Sequence, residues 1–397
     1  MRARYIDIHL LRSVPAANPN RGEYGEPKTL SIGNTVRGAI SSQSIKRADR
    51  MEMEEELAEP AVRTRMIPPR VTAALKQAGW PDDLAAFAGE QIARSAIKGG
   101  LKTDPAAGHR TQAMIYTAET GLLDDLTALC TRQRAQLEEA LAASRADASP
   151  SGQTKRTSRT KNGDDGPPAA LPTKDISAIL ARRTACISLF GRMLAGHDAS
   201  NVTGAAQVAW AFTTHTSDLQ PDFFTAVEEW QPPGDSGSAH LNTAFLTAGV
   251  FYCYANVNLT GLTRNLDGDT KQALDLLALF METFTTTLPQ GKANSTAPHT
   301  LPDTIHYTVR DRRPVSYASA FDQPVRATHS GGYLVPSRQA LTAEAAYANR
   351  LIGTRRLVGH GHTTAHPTPL DHLGPHHDSL DDLIAAAVHD AQLPAAS

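Results

Sequence analysis

Apolar and polar residues alternate along several stretches of the chain, as they do in β-strands with two different faces. The first stretch is residues 5–11, which Pro15 is expected to end, and the clearest is residues 249–262. Residues 305–310 show the same pattern. Residues 202–213 are rich in small and apolar side chains, which indicates a strand or another buried segment. We therefore expect strands that come from distant parts of the chain.

Helical periodicity dominates a long central segment and returns near the end. The predicted helices are residues 71–78, 83–97, 120–143, 175–193 and 269–287. The last is the most regular, since its apolar residues form one stripe at helical spacing. When the insertions are removed, a βαββαβ order remains, which is typical of an α+β protein with a ferredoxin-like or RRM-like plan.

A turn-rich segment at residues 213–242 carries much aromatic surface, including Phe223, Phe224 and Trp230. Two interpretations fit: a projecting β-hairpin that buries this surface against a partner, and a hairpin packed on the chain's own core. Residues 146–171 contain almost no apolar side chains, so a disordered or mobile loop is expected there.

The chain from Ser41 onwards combines features that suit a phosphate group. Ser41 or Ser42 is a good N-cap for the helix pattern that follows. Lys46, Arg47 and Arg50 lie in the first turns of that helix, where the positive end of the helix dipole disfavours cations. A phosphate chain removes this conflict, because amides, hydroxyls and cations then face one anion. Taken alone, the cations are more simply explained as a solvated helix face.

The preceding loop, residues 13–31, is rich in Pro, Asn and Gly, and its length makes it either functional or disordered. Arg21 and Lys28 on this loop are either surface cations or phosphate contacts. Glu23 and Glu26 lie there too, but two loop carboxylates do not make a metal site without more ligands.

Composition limits the possible partners. The chain has 397 residues and a formal net charge of −2, so nucleic acid would be bound by a local groove rather than by a global positive field. Three widely spaced cysteines give no disulfide or zinc pattern, which favours a reducing cytoplasm. No signal core and no apolar run long enough to span a bilayer is found, so we expect no membrane partner.

Several segments, taken in order, resemble the CasC family, the backbone subunit of the type I-E CRISPR Cascade complex in the RAMP superfamily. The matching segments are Ile6-Asp7-Ile8-His9, Ile40-Ser41-Ser42-Gln43-Ser44-Ile45-Lys46-Arg47-Ala48, Gly191-Arg192-Met193, Thr213-Thr214-His215, Phe224-Thr225-Ala226-Val227, Ser238-Ala239-His240-Leu241 and Gly249-Val250-Phe251-Tyr252-Cys253-Tyr254-Ala255-Asn256-Val257-Asn258-Leu259. Their order and spacing agree with the family as far as about residue 330.

The resemblance implies a hand-shaped α+β protein with a modified ferredoxin-like or RRM-like palm, a helical fingers insertion and a thumb β-hairpin. The implied divisions are a first palm segment at 1–60, fingers at 61–187, a second palm segment at 188–330 with the thumb at about 213–245, and a C-terminal segment with a His-rich tail at 331–397. The implied phosphate contacts are Arg21, Lys28, Ser41, Ser42, Gln43, Ser44, Lys46, Arg47 and Arg50. Met193 and Phe224 are the implied apolar wedges beside a displaced base.

The resemblance also implies a role in antiviral defence. Such subunits oligomerise as a helical filament along crRNA and displace bases periodically, so that the others can pair with target DNA. Further implied partners are the large subunit, the small subunit, the crRNA-processing endonuclease and the subunit that binds the 5′ handle. Phosphate contacts suit this role, because they position RNA without selecting its sequence.

We expect no enzymatic activity and no cofactor. Related subunits of type III complexes cut RNA with an aspartate in the loop after the first strand, and here that loop offers Glu23 and Glu26 instead. Asp7 and His9 are interpreted as strand-face residues, with a catalytic pair as the weaker alternative. The competing hypothesis is a metal-dependent ribonuclease on the same fold. Its best ligand candidates are histidines that we interpret as an exposed tail, namely His360, His362, His366, His372, His376 and His377.

Overall fold

A computed structural model of the chain describes residues 4–147, 168–194, 200–227, 229–230 and 238–393. Its strands are β1 (Arg4–Ala17), β2 (Thr29–Ile32), β3 (Thr35–Ile40), β4 (Ala61–Thr64), β5 (Thr103–Asp104), β6 (Arg110–Thr111), β7 (Ile115–Ala118), β8 (Ala206–Val208), β9 (Ala211–Thr213), β10 (Gln220–Val227), β11 (Ser238–Asn258), β12 (Thr304–Asp311) and β13 (Leu357–Thr364). Its α-helices are α1 (Ser42–Glu56), α2 (Ile67–Gln77), α3 (Asp82–Ser95), α4 (Leu122–Arg132), α5 (Arg134–Asp147), α6 (Thr173–Leu180), α7 (Ala185–Phe190), α8 (Leu259–Asn265), α9 (Thr270–Thr286), α10 (Ala293–Thr296), α11 (Leu334–Ile352) and α12 (Leu380–Gln392).

One large antiparallel sheet joins distant parts of the chain. Its strand order is β13-β12-β1-β11-β9-β3-β2, and β8 and β10 also pair with β11. Within it β1 is central, since Ile6 lies opposite Val257 of β11 on one side and Val309 of β12 on the other. Helices and an antiparallel sheet make the protein α+β, which confirms the predicted fold class at that level. The three alternating stretches are confirmed as strands.

The chain divides into two compact units, residues 1–53 with 205–397, and residues 54–204. The first unit contains the whole large sheet. Side chains alternate along β1, so successive residues belong to opposite faces of the sheet. Leu11 joins a core with Phe212, Tyr252 and Phe321. Leu10 belongs to the other face, beside residues of α1 and the end of α9.

The second unit is mainly helical. Its core contains buried residues of the helices from α2 to α6, and two small sheets pair β4 with β7 and β5 with β6. Two predicted helices are each interrupted. The segment 120–143 divides at Gln133 into α4 and α5. The segment 175–193 divides into α6 and α7, because Thr184 leaves the helix and caps α7 by accepting a hydrogen bond from the Ile187 amide.

Three further predictions are wrong in detail. Pro15 does not end β1, because a bulge between Val14 and Ala17 accommodates it within the strand. The predicted loop 13–31 therefore shrinks, since β1 takes its beginning and β2 takes its end. β11 stops at Asn258, whose side chain accepts a hydrogen bond from the Gly261 amide and caps α8.

The predicted exposed His-rich tail is wrong for its first residues, although His372 and His376 are exposed. Residues 357–364 form β13 on the edge of the sheet, where His362 lies opposite His306 and is fully buried. The predicted mobile loop at 146–171 lies mostly outside the described residues, although Ala170 and Leu171 are described and buried in the helical core. Across the described ranges, no helix has both the length and the apolar content to cross a membrane.

Candidate nucleic-acid interface

The start of α1 is built around Ser41. The amides of Ser44 and Ile45 donate to the Ser41 carbonyl oxygen at 3.0 and 3.1 Å, and the Ser44 amide lies 3.4 Å from Ser41 Oγ. Ser41 is therefore the N-cap, and its side chain is buried. Ser42 and Ser44 are half-buried and Gln43 is exposed. Of the uncharged residues predicted to contact phosphate, these three therefore have accessible side chains.

The loop before β2 is fastened to this helix start. Asn20 Oδ1 accepts a hydrogen bond from the Ser41 amide at 2.8 Å, and the Asn20 carbonyl accepts one from the Lys28 amide at 2.9 Å. The Lys28 carbonyl in turn accepts from the amide of Ala39 at 2.8 Å. The structure thus brings Lys28 to the N-terminus of α1. Arg21 is exposed on the same loop, in a short bridge with Pro27.

The predicted cations lie on the outer part of α1. Arg47 is exposed, whereas Lys46 and Arg50 are half-buried. Lys46 Nζ lies 3.5 Å from the carbonyl oxygen of Ala206, at the start of β8. Lys28 Nζ lies 5.4 Å from the ring centroid of Trp210, just before β9. The segment 206–210 therefore borders the same patch of cations.

Beneath α1 lies a small cavity of about 20 Å³, which Arg12, Asp49 and Cys253 help to line. Asp49 Oδ2 and Arg12 Nε are buried, and neither has a hydrogen-bond partner among the residues that the structure describes. The Arg12 guanidinium donates to the carbonyl oxygens of Thr287, at 2.7 Å, and Thr285. Burial raises the pKa of Asp49 to about 8, against the opposing effect of the Arg12 charge. Burial thus favours the neutral form of Asp49 on the inner face of the cationic helix.

The hairpin of β10 and β11 carries its aromatic residues on both faces. Phe223 lies opposite Thr243, Thr225 opposite Leu241 and Pro221 opposite Phe245. Because residues directly opposite share a face, Phe223, Leu241 and Phe245 lie together, and Phe224 lies on the other face. Phe223 is 67% exposed and Leu241 is 63% exposed. This exposure favours a projecting hairpin over one packed on the chain's own core.

Met193 belongs to the second unit, whereas Phe224 belongs to the first. Met193 is 84% exposed and follows Arg192, whose guanidinium is buried. Arg192 donates to the carbonyl oxygens of Ala181, Arg182 and Ser200 at 2.7–2.9 Å. The backbone that presents Met193 is therefore fixed by two other chain segments, residues 181–182 and Ser200.

The chain matches a known protein family over most of its length. The family described as CT1975-like protein matches residues 6–386. The chain belongs to the CT1975-like family. No curated protein matches it.

Two solved structures contain chains similar to this CT1975-like protein. One is titled "CRISPR RNA-guided surveillance complex, pre-nicking"; its chain is 36% identical, with a TM-score of 0.84, over 98% of this chain and 100% of that one. The other, "CRISPR RNA-guided surveillance complex", has 31% identity and a TM-score of 0.75, over 97% of this chain and 99% of that one. These similarities support the predicted resemblance at the level of a Cascade-type CRISPR protein.

Inside the sheet of the CT1975-like chain, Asp7 is a buried structural carboxyl. It accepts hydrogen bonds from Tyr254 Oη at 2.8 Å, from Thr308 Oγ1 at 3.1 Å and from the Val315 amide at 3.1 Å. Arg310 Nε lies 3.7 Å away, and burial raises the pKa of Asp7 to about 6. These partners favour the strand-face interpretation over a catalytic one.

His9 is likewise buried, with Nδ1 2.9 Å from Tyr252 Oη and its ring stacked on Tyr317 at 4.1 Å. Burial lowers the pKa of His9 far below its usual value and lowers that of His306 to about 3. Both imidazoles are therefore neutral near pH 7.

Sequence reasoning missed two residues of this region, Asn20 and Trp210. Asn20 lies 21 positions before Ser41, and only the folded loop brings them together. Trp210 lies in the segment 202–213, which was predicted as a strand or another buried segment with no binding role. The one available signal was its aromatic side chain, since aromatic residues among cations are typical of single-stranded nucleic-acid sites.

Proposed function

We propose that this protein is a CasC-type backbone subunit of a Cascade complex, which oligomerises along crRNA and holds its phosphate backbone. The observation that carries the proposal is the start of α1, where Ser41 caps the helix, the Asn20 contact fixes the loop, and Lys28 and Lys46 border one patch. Helix N-termini with nearby cations suit phosphate groups. The two similar chains come from CRISPR RNA-guided surveillance complexes, which supports the same role.

On this proposal the first unit is an RRM-like palm, the second unit is the fingers, and the hairpin of β10 and β11 is the thumb. Ser42, Gln43 and Ser44 then offer the accessible polar groups, with the cations Arg21, Lys28, Lys46, Arg47 and Arg50 around them. Such contacts hold any guide sequence, because phosphates carry no sequence information. Target specificity comes from pairing between guide and target DNA.

The exposed face of the thumb supports assembly of copies into a helical filament. Phe223 and Leu241 leave most of their surfaces in water in the single chain, and burial of such apolar surface against another copy is favourable. Phe224, on the opposite face, and Met193 are proposed as wedges that displace a base at each repeat. An apolar wedge acts on every base alike, as a guide-independent subunit requires.

We propose RNA binding rather than catalysis. Within the described ranges, no three His, Cys, Asp or Glu side chains converge to hold a metal ion. Glu23 is exposed on the loop, and Glu26 Oε2 accepts a hydrogen bond from the Tyr24 amide at 3.0 Å. Other Cascade subunits, target DNA and a cytoplasmic location belong to the same proposal.

The deciding experiment is co-expression of the chain with a CRISPR array and its companion subunits, followed by nuclease digestion and sequencing of the protected RNA. We expect spacer-derived RNA with chemically reactive bases at regular intervals. Protected RNA without spacer origin would contradict the guide-binding role. Cleavage of RNA that depends on added magnesium or manganese would instead favour the ribonuclease hypothesis.

A further inference from the structure

We infer that Trp210 is a stacking site for one nucleobase of the bound single-stranded RNA, next to the phosphate held by Lys28. The inference rests on the proposed function and names a contact that it does not include. Trp210 directly precedes β9 of the large sheet. β3 and β9 pair so that Ile40 lies opposite Ala211. Ser41 follows Ile40 at the point where β3 ends and α1 begins, and Trp210 precedes Ala211. The two residues therefore adjoin the same end of this strand pair.

Trp210 differs in exposure from Phe212, the next aromatic residue of the chain, which lies in β9. Phe212, two residues later, is 6% exposed and packs edge-on against Tyr252 and Phe321 in the core. Trp210 keeps 37% of its surface exposed. A large aromatic side chain therefore stays partly in water beside the N-terminus of α1, where the polar phosphate contacts are proposed.

The ammonium group of Lys28 lies close to the indole ring of Trp210. The Nζ atom lies 5.4 Å from the Trp210 ring centroid, within the range of a cation–π contact. The Lys28 backbone is itself fixed, because its amide and carbonyl are both hydrogen-bonded to the α1 junction. The fixed backbone thus keeps the lysine side chain close to the ring, which reduces the ordering required when a nucleotide binds.

The chemistry of the pair matches one nucleotide. The ammonium attracts a phosphate, and the indole offers a π-face to the base. Stacking on an aromatic ring tolerates every base, so the contact is compatible with guides of any sequence. Lys46, whose ammonium lies 3.5 Å from the Ala206 carbonyl oxygen, places a second cation beside the segment 206–210.

Tryptophan fluorescence tests the inference directly, because the chain has three tryptophans in different settings. Trp80 is 7% exposed and gives a constant background, whereas Trp230 is 95% exposed and is removed by Trp230→Phe. We expect a mixed-sequence single-stranded RNA to quench the remaining emission of full-length Trp230→Phe protein. The same backbone made wholly of abasic nucleotides should bind through its phosphates without that quenching. A Trp210→Phe/Trp230→Phe protein should lose the RNA-dependent signal.

Affinity gives the second readout. Measured by the anisotropy of labelled RNA, Trp210→Leu should weaken binding by on the order of tenfold, as expected for the loss of one stacked base. Its salt dependence should stay unchanged, since no cation is removed. Trp210→Phe should recover most of the affinity because it keeps a ring. RNA bound with unchanged Trp210 emission would overturn the stacking site and leave the proposed function standing. Absence of RNA binding by the unaltered chain would overturn both.

Discussion

The side chain of Asn20 accepts a hydrogen bond from the backbone amide of Ser41 at 2.8 Å, and so joins the loop that carries Lys28 to the first turn of α1. Asn20→Ala removes this acceptor. We expect a loss of about 1 kcal/mol in the free energy of unfolding, together with weaker RNA binding, because the loop cation is no longer held in place. Asn20→Asp is the matched control, since it keeps an acceptor oxygen. Equal stability of the wild-type and Ala proteins in urea would contradict the contact.

Lys46 is predicted to neutralise one guide phosphate. Replacement by Ala should lower RNA affinity and reduce the slope of log K against log salt by about 0.7, the contribution of one contact to single-stranded nucleic acid. Lys271→Ala is the control, because Lys271 is exposed on α9 of the same unit and pairs only locally, with Asp275 at 2.7 Å. Equal salt slopes for the two variants in a filter-binding titration would argue against a phosphate contact at Lys46.

Asp49 should give the protein a pH-dependent stability. Its folded-state pKa is raised to about 8 from 3.8, so between these values the folded chain keeps a proton that the unfolded chain has lost. The stabilisation is complete below about pH 4 and is lost as the pH rises towards 8. Asp49→Asn removes this dependence, because the amide does not titrate.

The measurement is urea unfolding of both proteins across that range. Subtracting the Asn variant cancels the contributions of other groups, including Arg12 and Cys253, which line the same cavity as Asp49. We expect the stability of the wild type to fall relative to Asp49→Asn as the pH rises from 4 to 8. Parallel profiles would show that the carboxyl is ionised throughout.

The exposed face of the hairpin should serve assembly and not folding. Phe223→Ser with Leu241→Ser is expected to leave the melting temperature of the single chain nearly unchanged, because both side chains are mostly in water. The same double variant should shorten the particles formed with guide RNA, as measured by sedimentation. Leu301→Ser is the control, since Leu301 is 72% exposed in the same unit outside the hairpin. Full-length particles from the double variant would exclude this face as a contact.

Gly191 is expected to be indispensable for the segment that presents Met193. Its φ is +83°, and a Cβ there would approach the Gly204 amide nitrogen to 2.6 Å. Gly353 has a similar φ of +76° and a ψ of 160°, close to the ψ of 165° at Gly191, but open space around it. Both Gly→Ala variants carry the backbone strain, so the additional loss of stability at Gly191 measures the steric clash, which we expect to be about 1–3 kcal/mol. Equal losses of stability in the two variants on thermal unfolding would show that the backbone near Gly204 shifts to relieve the clash.

The sequence predicted those elements that are determined by residues close together in the chain. The capping serine before α1 and the apolar stripe of α9 follow from neighbouring residues, and the structure has both. The sequence did not reveal β13, because an edge strand of Gly, His and Thr lacks a regular apolar alternation, and its pairing partner lies about 50 residues earlier. The Asn20–Ser41 and Lys28–Trp210 contacts were also hidden, since each depends on the folded path of the chain.

β11 is one unbroken strand of 21 residues, whose first half forms the hairpin and whose second half pairs with β1 in the middle of the sheet. A force applied to the hairpin is therefore transmitted to the sheet through the continuous backbone of β11. A pulling force on the hairpin, such as a neighbouring copy would exert in the proposed filament, loads β11 along its axis and acts on many of its hydrogen bonds at once. Such a connection resists tearing, and the continuous backbone of β11 conveys a small displacement of the hairpin into the sheet of the same chain.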